Sequence, residues 1–371
     1  MTTQTIRRAL IPGVAALALA LTGCGAGNED SGTGAEGDTA SSLSGELNGG
    51  GATSQEKAEA AWAAGFQDAN PDVTVNYDPV GSGTGRENFI SEAFSFAGTD
   101  SALSNDEGEL DAAVERCGGE GVIQVPAYVS PIAVTFNLPG IDTLNLDPET
   151  ITGIFEGTIT TWDDPAIADA NPDADLPSTD IVPVHRSDDS GTTENFVTYL
   201  SEVGGWAAEP DGVWPSDIEG GESAEGTSGV VGLVSDNEGY ITYADDSAVK
   251  ESGLGVVAVG VGEEYNAPSP EGAATVVAAS SPGENASDTN LEIELARDTT
   301  ESGAYPVLLV SYLLACPTYA DEAEADLVKG YLEYIVSDEG QQAAAAEAGS
   351  APLDADTAAK AQAAIETISA G

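Results

Sequence analysis

The sequence predicts an α/β protein with mainly parallel sheets, and three observations carry that expectation. After Gly45, short runs rich in β-branched residues alternate with longer amphipathic runs, the order that strands joined by crossover helices require. Three of the strand-to-helix junctions share one plan, a Gly/Ser/Thr loop between an extended run and a helical one. Hydrophobic residues make up 41% of the 371-residue chain, enough for the core of one large domain or two medium ones.

The elements follow in order. Arg7 and Arg8 precede an apolar run from Ala9 to Leu21 and the tetrapeptide Leu21-Thr22-Gly23-Cys24. A basic start, a short apolar stretch and a small residue at the junction predict a secretory signal over residues 1–23. The apolar run is shorter than the ~20 residues that span a bilayer. The junction resembles a bacterial lipobox, which implies that Cys24 is acylated and becomes the first mature residue. Residues 24–44 are Gly, Ser, Thr and acid with almost nothing to bury, the composition of a flexible tether. Val73–Tyr77, Ile181–His185, Tyr240–Tyr243 and Val256–Val259 read as strands. Gln55–Phe66, Glu87–Phe94, Glu194–Val203 and much of Asp321–Ala348 read as helices, and the Ala-rich Thr357–Ile368 as a last one. Glu219–Gly229 is glycine-rich and reads as a surface loop.

Charge excludes one class of function. After Cys24 the chain holds 64 acidic residues against eight basic ones, a net charge of about −56. Such a field favours solubility and opposes nucleic-acid binding. Two cysteines remain beyond Cys24, Cys117 and Cys316, and in an exported chain a disulfide between them is the default. The single histidine, His185, and the lack of a Cys/His cluster argue against a structural zinc site.

The three loops are Gly49–Ser54, Gly81–Arg86 and Arg186–Thr192. A helix start offers free N–H groups and the positive end of the helix dipole, and small residues let an anion come close. Three converging loops would make a cage of neutral donors for a small oxyanion. Thr53-Ser-Gln-Glu56 and Thr84-Gly-Arg-Glu87 also fit the capping-box pattern, so each loop by itself reads as a capped helix start. The cations favour the cage, because Arg86 and Arg186 both sit in these loops and Asp188 can orient Arg186. Asp100, in the small-residue turn after Phe94-Ser-Phe-Ala-Gly-Thr, could accept a hydrogen bond from a protonated oxyanion.

Together these segments resemble the phosphate-binding lipoproteins of ABC-type phosphate importers. The resemblance rests on Gly51-Ala52-Thr53, Gly81-Ser82-Gly83-Thr84-Gly85, Gly98-Thr99-Asp100 and Arg186-Ser-Asp188-Asp189-Ser190-Gly191-Thr192, in that order. Leu138-Pro139-Gly140 and Ile154–Asp164 are similar to the stretch the family carries between its motifs. One departure is Ser54, where the family often has an aromatic residue. The resemblance implies a two-lobe, type II periplasmic-binding-protein-like fold, a hinge of two crossover strands and the ligand between the lobes. The first lobe would be 45–134 with 298–371, and the second 135–297. Thr53, Ser54, Ser82, Ser190, Gly191 and Thr192 would donate to phosphate and Arg186 would pair with it. Asp100 would accept its proton, and Asp188, Gly81, Gly83 and Arg86 would support the site. It also implies a monomer without cofactor or catalytic residue, on the outer face of the cytoplasmic membrane, held by acylated Cys24 and serving ABC permease subunits. A sulfate-like ligand is the alternative within the fold. A secreted hydrolase or phosphatase would need an activated nucleophile, and no G-x-S-x-G elbow is present. Gly85-Arg86-Glu87 lacks the Lys-Ser/Thr of a nucleotide-binding loop.

Overall fold

The computed structural model describes residues 43–105 and 108–371. The expected signal segment, Cys24 and most of the tether lie outside the described residues. The chain begins with β1 (Gly45–Gly51), α1 (Glu56–Ala69), β2 (Val73–Asp78), α2 (Ser82–Ile90), β3 (Phe96–Thr99) and α3 (Glu109–Arg116). It enters β4 (Ile123–Phe136), in which every residue is buried. Then come β5 (Thr143–Leu146), α4 (Pro148–Phe155), α5 (Pro165–Ala168), β6 (Val182–Arg186), α6 (Gly191–Tyr199), β7 (Glu222–Ala224) and α7 (Gly226–Asp236). These are followed by β8 (Tyr240–Asp245), α8 (Asp246–Val249), β9 (Gly255–Val261), β10 (Glu264–Asn266) and α9 (Pro270–Ala279). A hairpin of β11 (Ser281–Pro282) and β12 (Ile293–Glu294) leads to β13 (Leu308–Ala315) and β14 (Thr318–Tyr319). The chain closes with α10 (Glu322–Val336), α11 (Asp338–Ala348), α12 (Ala355–Ile365) and β15 (Ser369–Ala370).

Strand β4 serves two lobes. Ile123–Pro131 pairs antiparallel with β13, and the ladder continues through β3 and β1 to β2. Ile132–Phe136 pairs with β8, which leads on to β6 and β7, and the end of β4 also meets β9, which carries β5 and β10. The change of partner falls at Pro131, which has no N–H to give to a ladder. The returning chain crosses beside it: Ile132 N–H donates to Val307 O at 2.8 Å, and the Tyr305 hydroxyl donates to Ile132 O at 2.9 Å. This second crossing is irregular until β13 begins at Leu308. The sheet is therefore mixed, not mainly parallel. Strands such as β1 and β6, which feed helices that start at the cleft, run parallel to their neighbours, while a chain that crosses between lobes and returns beside itself must run antiparallel. The hairpin before the return reaches the first-lobe half of β4, where Gln124 N–H donates to Thr289 O and Leu291 N–H to Gln124 O, both at 2.8 Å.

Aromatic side chains fill both lobes. Phe66 and Phe96 pack on Tyr331 in the first, and Phe155, Phe196 and Tyr243 on one another in the second. A disulfide joins Cys117, after α3, to Cys316, after β13. Both ends lie on the first-lobe side of the crossing, so the bond leaves the hinge free.

Several element boundaries differ from the sequence reading. Helix α2 begins at Ser82, five residues before Glu87, because Gly81 turns the chain at φ +94° and the helix follows at once. The Asp321–Ala348 stretch breaks at Ser337, whose hydroxyl caps α11 by accepting from Gly340 N–H at 3.2 Å. The segment Glu219–Gly229 is not simply a loop, since it contains β7 and the start of α7. The two capping boxes do not form. Neither α1 nor α2 has a side-chain cap, and Thr84 lies inside α2.

One core residue makes stability depend on pH. Glu59 of α1 is buried, and the Tyr331 hydroxyl donates to its Oε2 at 2.7 Å. Burial pushes its pKa from 4.5 to about 8, against the lowering effect of that hydrogen bond. Between those values the native state keeps a proton that the unfolded chain has lost, so this group lowers stability as pH rises through that window. Glu59→Gln keeps the shape and the Tyr331 contact. It is expected to flatten this part of the pH dependence and to raise the melting temperature at pH 8 by several degrees. Parallel melting-temperature profiles for parent and variant across pH 5–8 would contradict the assignment.

Candidate functional site

The site lies where four strand-to-helix junctions meet. Strand β1 delivers Thr53 and Ser54, β2 delivers Ser82, β6 delivers Arg186 through Thr192, and β7 delivers Gly226 and Thr227. Each junction places the start of a helix of nine or more residues toward its neighbours. The chain can pack this tightly only because several positions lack a side chain. A Cβ at Gly191 would sit 2.7 Å from Asp100 Cβ, and one at Gly81 would sit 2.7 Å from Asp188 Oδ2. One at Gly83 would lie 2.2 Å from Asp189 Cγ.

Asp100 is the centre. It is 3% exposed, in the turn that follows β3. Its Oδ1 accepts from Ser54 Oγ and Ser311 Oγ, both at 2.6 Å, and its Oδ2 from Thr192 Oγ1 at 2.9 Å. Its N–H donates to Ser82 Oγ at 3.1 Å, and its C=O accepts from Asn195 Nδ2 at 2.7 Å. Burial raises its pKa, and the hydrogen bonds from Ser311, Ser54 and Thr192 and the nearby Arg186 charge oppose that rise. A carboxylate that receives three hydroxyls is arranged as an acceptor. Ser311 reaches it from β13 at the point where the register against β4 shifts: Ser311 faces Tyr128 and Tyr312 faces Pro126, so Ala127 of β4 is the extra residue.

Arg186, 2% exposed, is gripped by Asp188. Its Nε donates to Asp188 Oδ1 at 2.8 Å and a terminal nitrogen donates to Oδ2, the bidentate geometry expected from the sequence. Burial pushes Asp188 up, but the guanidinium outweighs it and holds the carboxyl below its usual range. Asp188 Oδ1 also accepts from Gly226 N–H at 3.1 Å. Ser190 caps α6 by accepting from Thr193 N–H at 3.3 Å.

Contacts across the cleft bring the lobes together. Thr53 Oγ1 lies 2.8 Å from Thr227 Oγ1, and Thr192 reaches Asp100 as above. Arg86 donates from Nε to Glu109 at 2.7 Å and faces Asp189 of the other lobe at 3.6 Å, with Gly83 N–H on Asp189 O at 3.3 Å. Lys57 of α1 donates to Ser247 O at 2.9 Å and pairs with Glu251 at 2.7 Å. His185, the single histidine of the chain, is stacked on Trp214 at 4.7 Å with Nδ1 on the Arg186 carbonyl.

The ligand-binding and supporting residues expected from the sequence all fall on these junctions or in the Asp100 turn, with Arg86 inside α2, while Cys24 lies outside the described residues and Cys117 and Cys316 form the disulfide. In this structure the Ser54 and Thr192 hydroxyls both face Asp100. Ser54 and Thr192 each have one proton, and each gives it to Asp100. Sequence reasoning missed Thr227, Ser311, Asn195 and Arg297. Thr227 had a readable signal: Gly226-Thr-Ser-Gly before the apolar Val230-Val231 repeats the plan of the other three loops.

A two-lobe α/β protein with a polar cage between its lobes is a solute-binding protein by architecture, and the pattern of the PBP superfamily domain matches residues 35–339. The chain is 33% identical to the phosphate-binding protein PstS2 of Mycobacterium bovis BCG over 363 residues, covering 96% of this chain and 97% of that one. It is 32% identical to the phosphate-binding protein PstS of Methanocaldococcus jannaschii, covering 76% and 75%. Among solved structures, the fold is similar to a phosphate-binding protein from Stenotrophomonas maltophilia, with TM-score 0.66, 20% identity and coverage of 86% and 94%. It is also similar to the periplasmic phosphate-binding protein PfluDING, solved with phosphate, with TM-score 0.68, 23% identity and coverage of 86% and 93%. The chain belongs to the PstS family of phosphate-binding proteins.

Proposed function

We propose that this protein captures inorganic phosphate outside the cytoplasm and hands it to an ABC-type membrane permease. The observation that carries the reading is Asp100, a buried acceptor ringed by donors from both lobes. At neutral pH phosphate still bears a proton and sulfate does not. A carboxylate facing the anion gains a hydrogen bond from phosphate and meets only lone pairs on sulfate. On binding, the Thr192 and Ser54 hydroxyls turn from Asp100 to the phosphate oxygens, and the freed Asp100 oxygen accepts a hydrogen bond from the phosphate O–H. N–H groups at the starts of α1, α2 and α6, including those of Gly191 and Thr192, supply neutral donors. Thr53, Ser82 and Ser190 add hydroxyls. Arg186 contributes the one full positive charge, already oriented by Asp188. Gly81 and Gly83 leave room for the second lobe, and Arg86 helps hold the lobes together through Asp189.

The same reading places the chain, as a monomer, on the outer face of the cytoplasmic membrane through a lipid on Cys24. It requires no catalytic residue, and a role in hydrolysis is not part of it.

Titration calorimetry with phosphate and sulfate at neutral pH tests the function. Phosphate is expected to bind and sulfate to fail to displace it at comparable concentration, because a site built for a proton donor rejects an analogue lacking it by ~10⁴–10⁵. Equal binding of the two anions would overturn the reading. Arg186→Ala is expected to cost roughly 2–5 kcal/mol of phosphate affinity, since it removes one partner of a buried pair and strands Asp188. A loss below about 1 kcal/mol would remove Arg186 from the site.

The anchor has a separate test. Cys24→Ser is expected to abolish labelling by radioactive palmitate and release the protein from membranes, because only a thiol at that junction can be alkylated. Normal labelling of the variant would refute the lipid assignment.

A further inference from the structure

Arg297 is a buried cation that the phosphate reading does not use. It is 5% exposed, at the start of the second crossing between lobes. No carboxylate of the described residues forms an ion pair with it. One terminal nitrogen donates to Pro306 O at 3.1 Å and Leu308 O at 3.0 Å, which fixes the guanidinium to the chain that becomes β13. The other donates to Asn195 Oδ1. Asn195 sits one turn into α6, and its Nδ2 donates to Gly191 O at 2.8 Å and to Asp100 O at 2.7 Å.

The chemistry of these groups leaves one arrangement. A guanidinium can only donate, so it requires the oxygen end of the amide. The amide nitrogen must then face the other way, where two carbonyl oxygens wait. Turned over, Asn195 would put N–H₂ against guanidinium and oxygen against oxygen. Arg297 therefore fixes the direction of an amide that touches both the Asp100 backbone and the first turn of α6. Every polar group of Asp100 is then engaged: N–H by Ser82, C=O by Asn195 and carboxylate by Ser54, Ser311 and Thr192.

We infer that Asn195, oriented by Arg297, is a positioning and specificity-determining residue: the pair locks Asp100 in place and couples it to the chain that crosses between the lobes. The anion meets neither side chain in this role. The inference rests on the phosphate reading, and it predicts that losing the amide harms phosphate more than sulfate, because only phosphate uses the carboxylate.

The test is titration calorimetry with inorganic phosphate and with sulfate on the unmodified protein, Asn195→Ala, Arg297→Met and the double variant. Asn195→Ala is expected to weaken phosphate binding about 10–100-fold, the range seen when residues that orient ligand-contacting groups are removed, and to narrow the phosphate-to-sulfate ratio. The double variant is expected to bind like Asn195→Ala within about threefold, since residues acting as one unit are not additive. Phosphate affinity within about threefold of the parent for Asn195→Ala, or losses that multiply in the double variant, would overturn the inference. If Arg297→Met does not fold, the anion ratio of Asn195→Ala decides: an unchanged ratio overturns the inference, and a narrowed one supports it. Failure of the unmodified protein to bind phosphate would instead bring down the functional reading beneath it.

Discussion

A carboxylate held out of water between two lobes is the constraint that the rest of the site serves. Burying an ionised group without partners costs several kcal/mol or more, so Asp100 can keep its charge only if donors surround it. Three hydroxyls do so, from the short turn that leads into α1, from β13 and from α6. Each donor has to come from a different part of the chain, and two lobes have to close to complete the set. The glycines at 81, 83 and 191 let the backbones approach, and Ser311 sits where the register between β13 and β4 shifts. Much of the local irregularity near the cleft follows from this one requirement.

The charge of the whole chain makes the task harder. A protein with a net charge of −54 repels anions at long range, and Asp100 repels them at short range. At physiological salt the first effect fades over ~8 Å, so an anion inside the cleft responds mainly to its immediate neighbours. Those neighbours are helix starts, hydroxyls and one guanidinium neutralised in advance by Asp188. A lone arginine would attract any anion of the right size. A fixed Arg–Asp pair beside a carboxylate attracts one that can also give a proton. On the proposed reading, selectivity draws on Asp100 and affinity on the N–H cage with Arg186.

The parts of this arrangement that were legible in the sequence are local. A strand, a small-residue loop and an apolar-periodic helix fall within about 20 residues of one another, so the Thr53, Ser82 and Arg186 junctions could be read directly. So could the Arg186–Asp188 pairing, two residues apart. What could not be read depends on tertiary register. Ser311 lies 211 residues from its partner Asp100, and nothing near it marks the register shift against β4. Arg297 and Asn195 are 102 residues apart and look like an ordinary charge and an ordinary helix polar residue. The capping-box pattern misled for the same reason, because Thr53 spends its hydroxyl on Thr227 across the cleft and not on its own helix. The mixed sheet was likewise hidden, since Pro131 marks a break in a ladder but not which strands take over on either side of it.

The account stands or falls on where the phosphate proton goes, and a high-resolution crystal structure of the phosphate complex tests that directly. The expected result is a phosphate oxygen ~2.5–2.7 Å from an Asp100 carboxylate oxygen, the separation of an O–H···O⁻ hydrogen bond. The Thr192 hydroxyl should then have turned from Asp100 to the anion. Phosphate bound with no oxygen in hydrogen-bond reach of Asp100, and Thr192 still donating to it, would contradict the account.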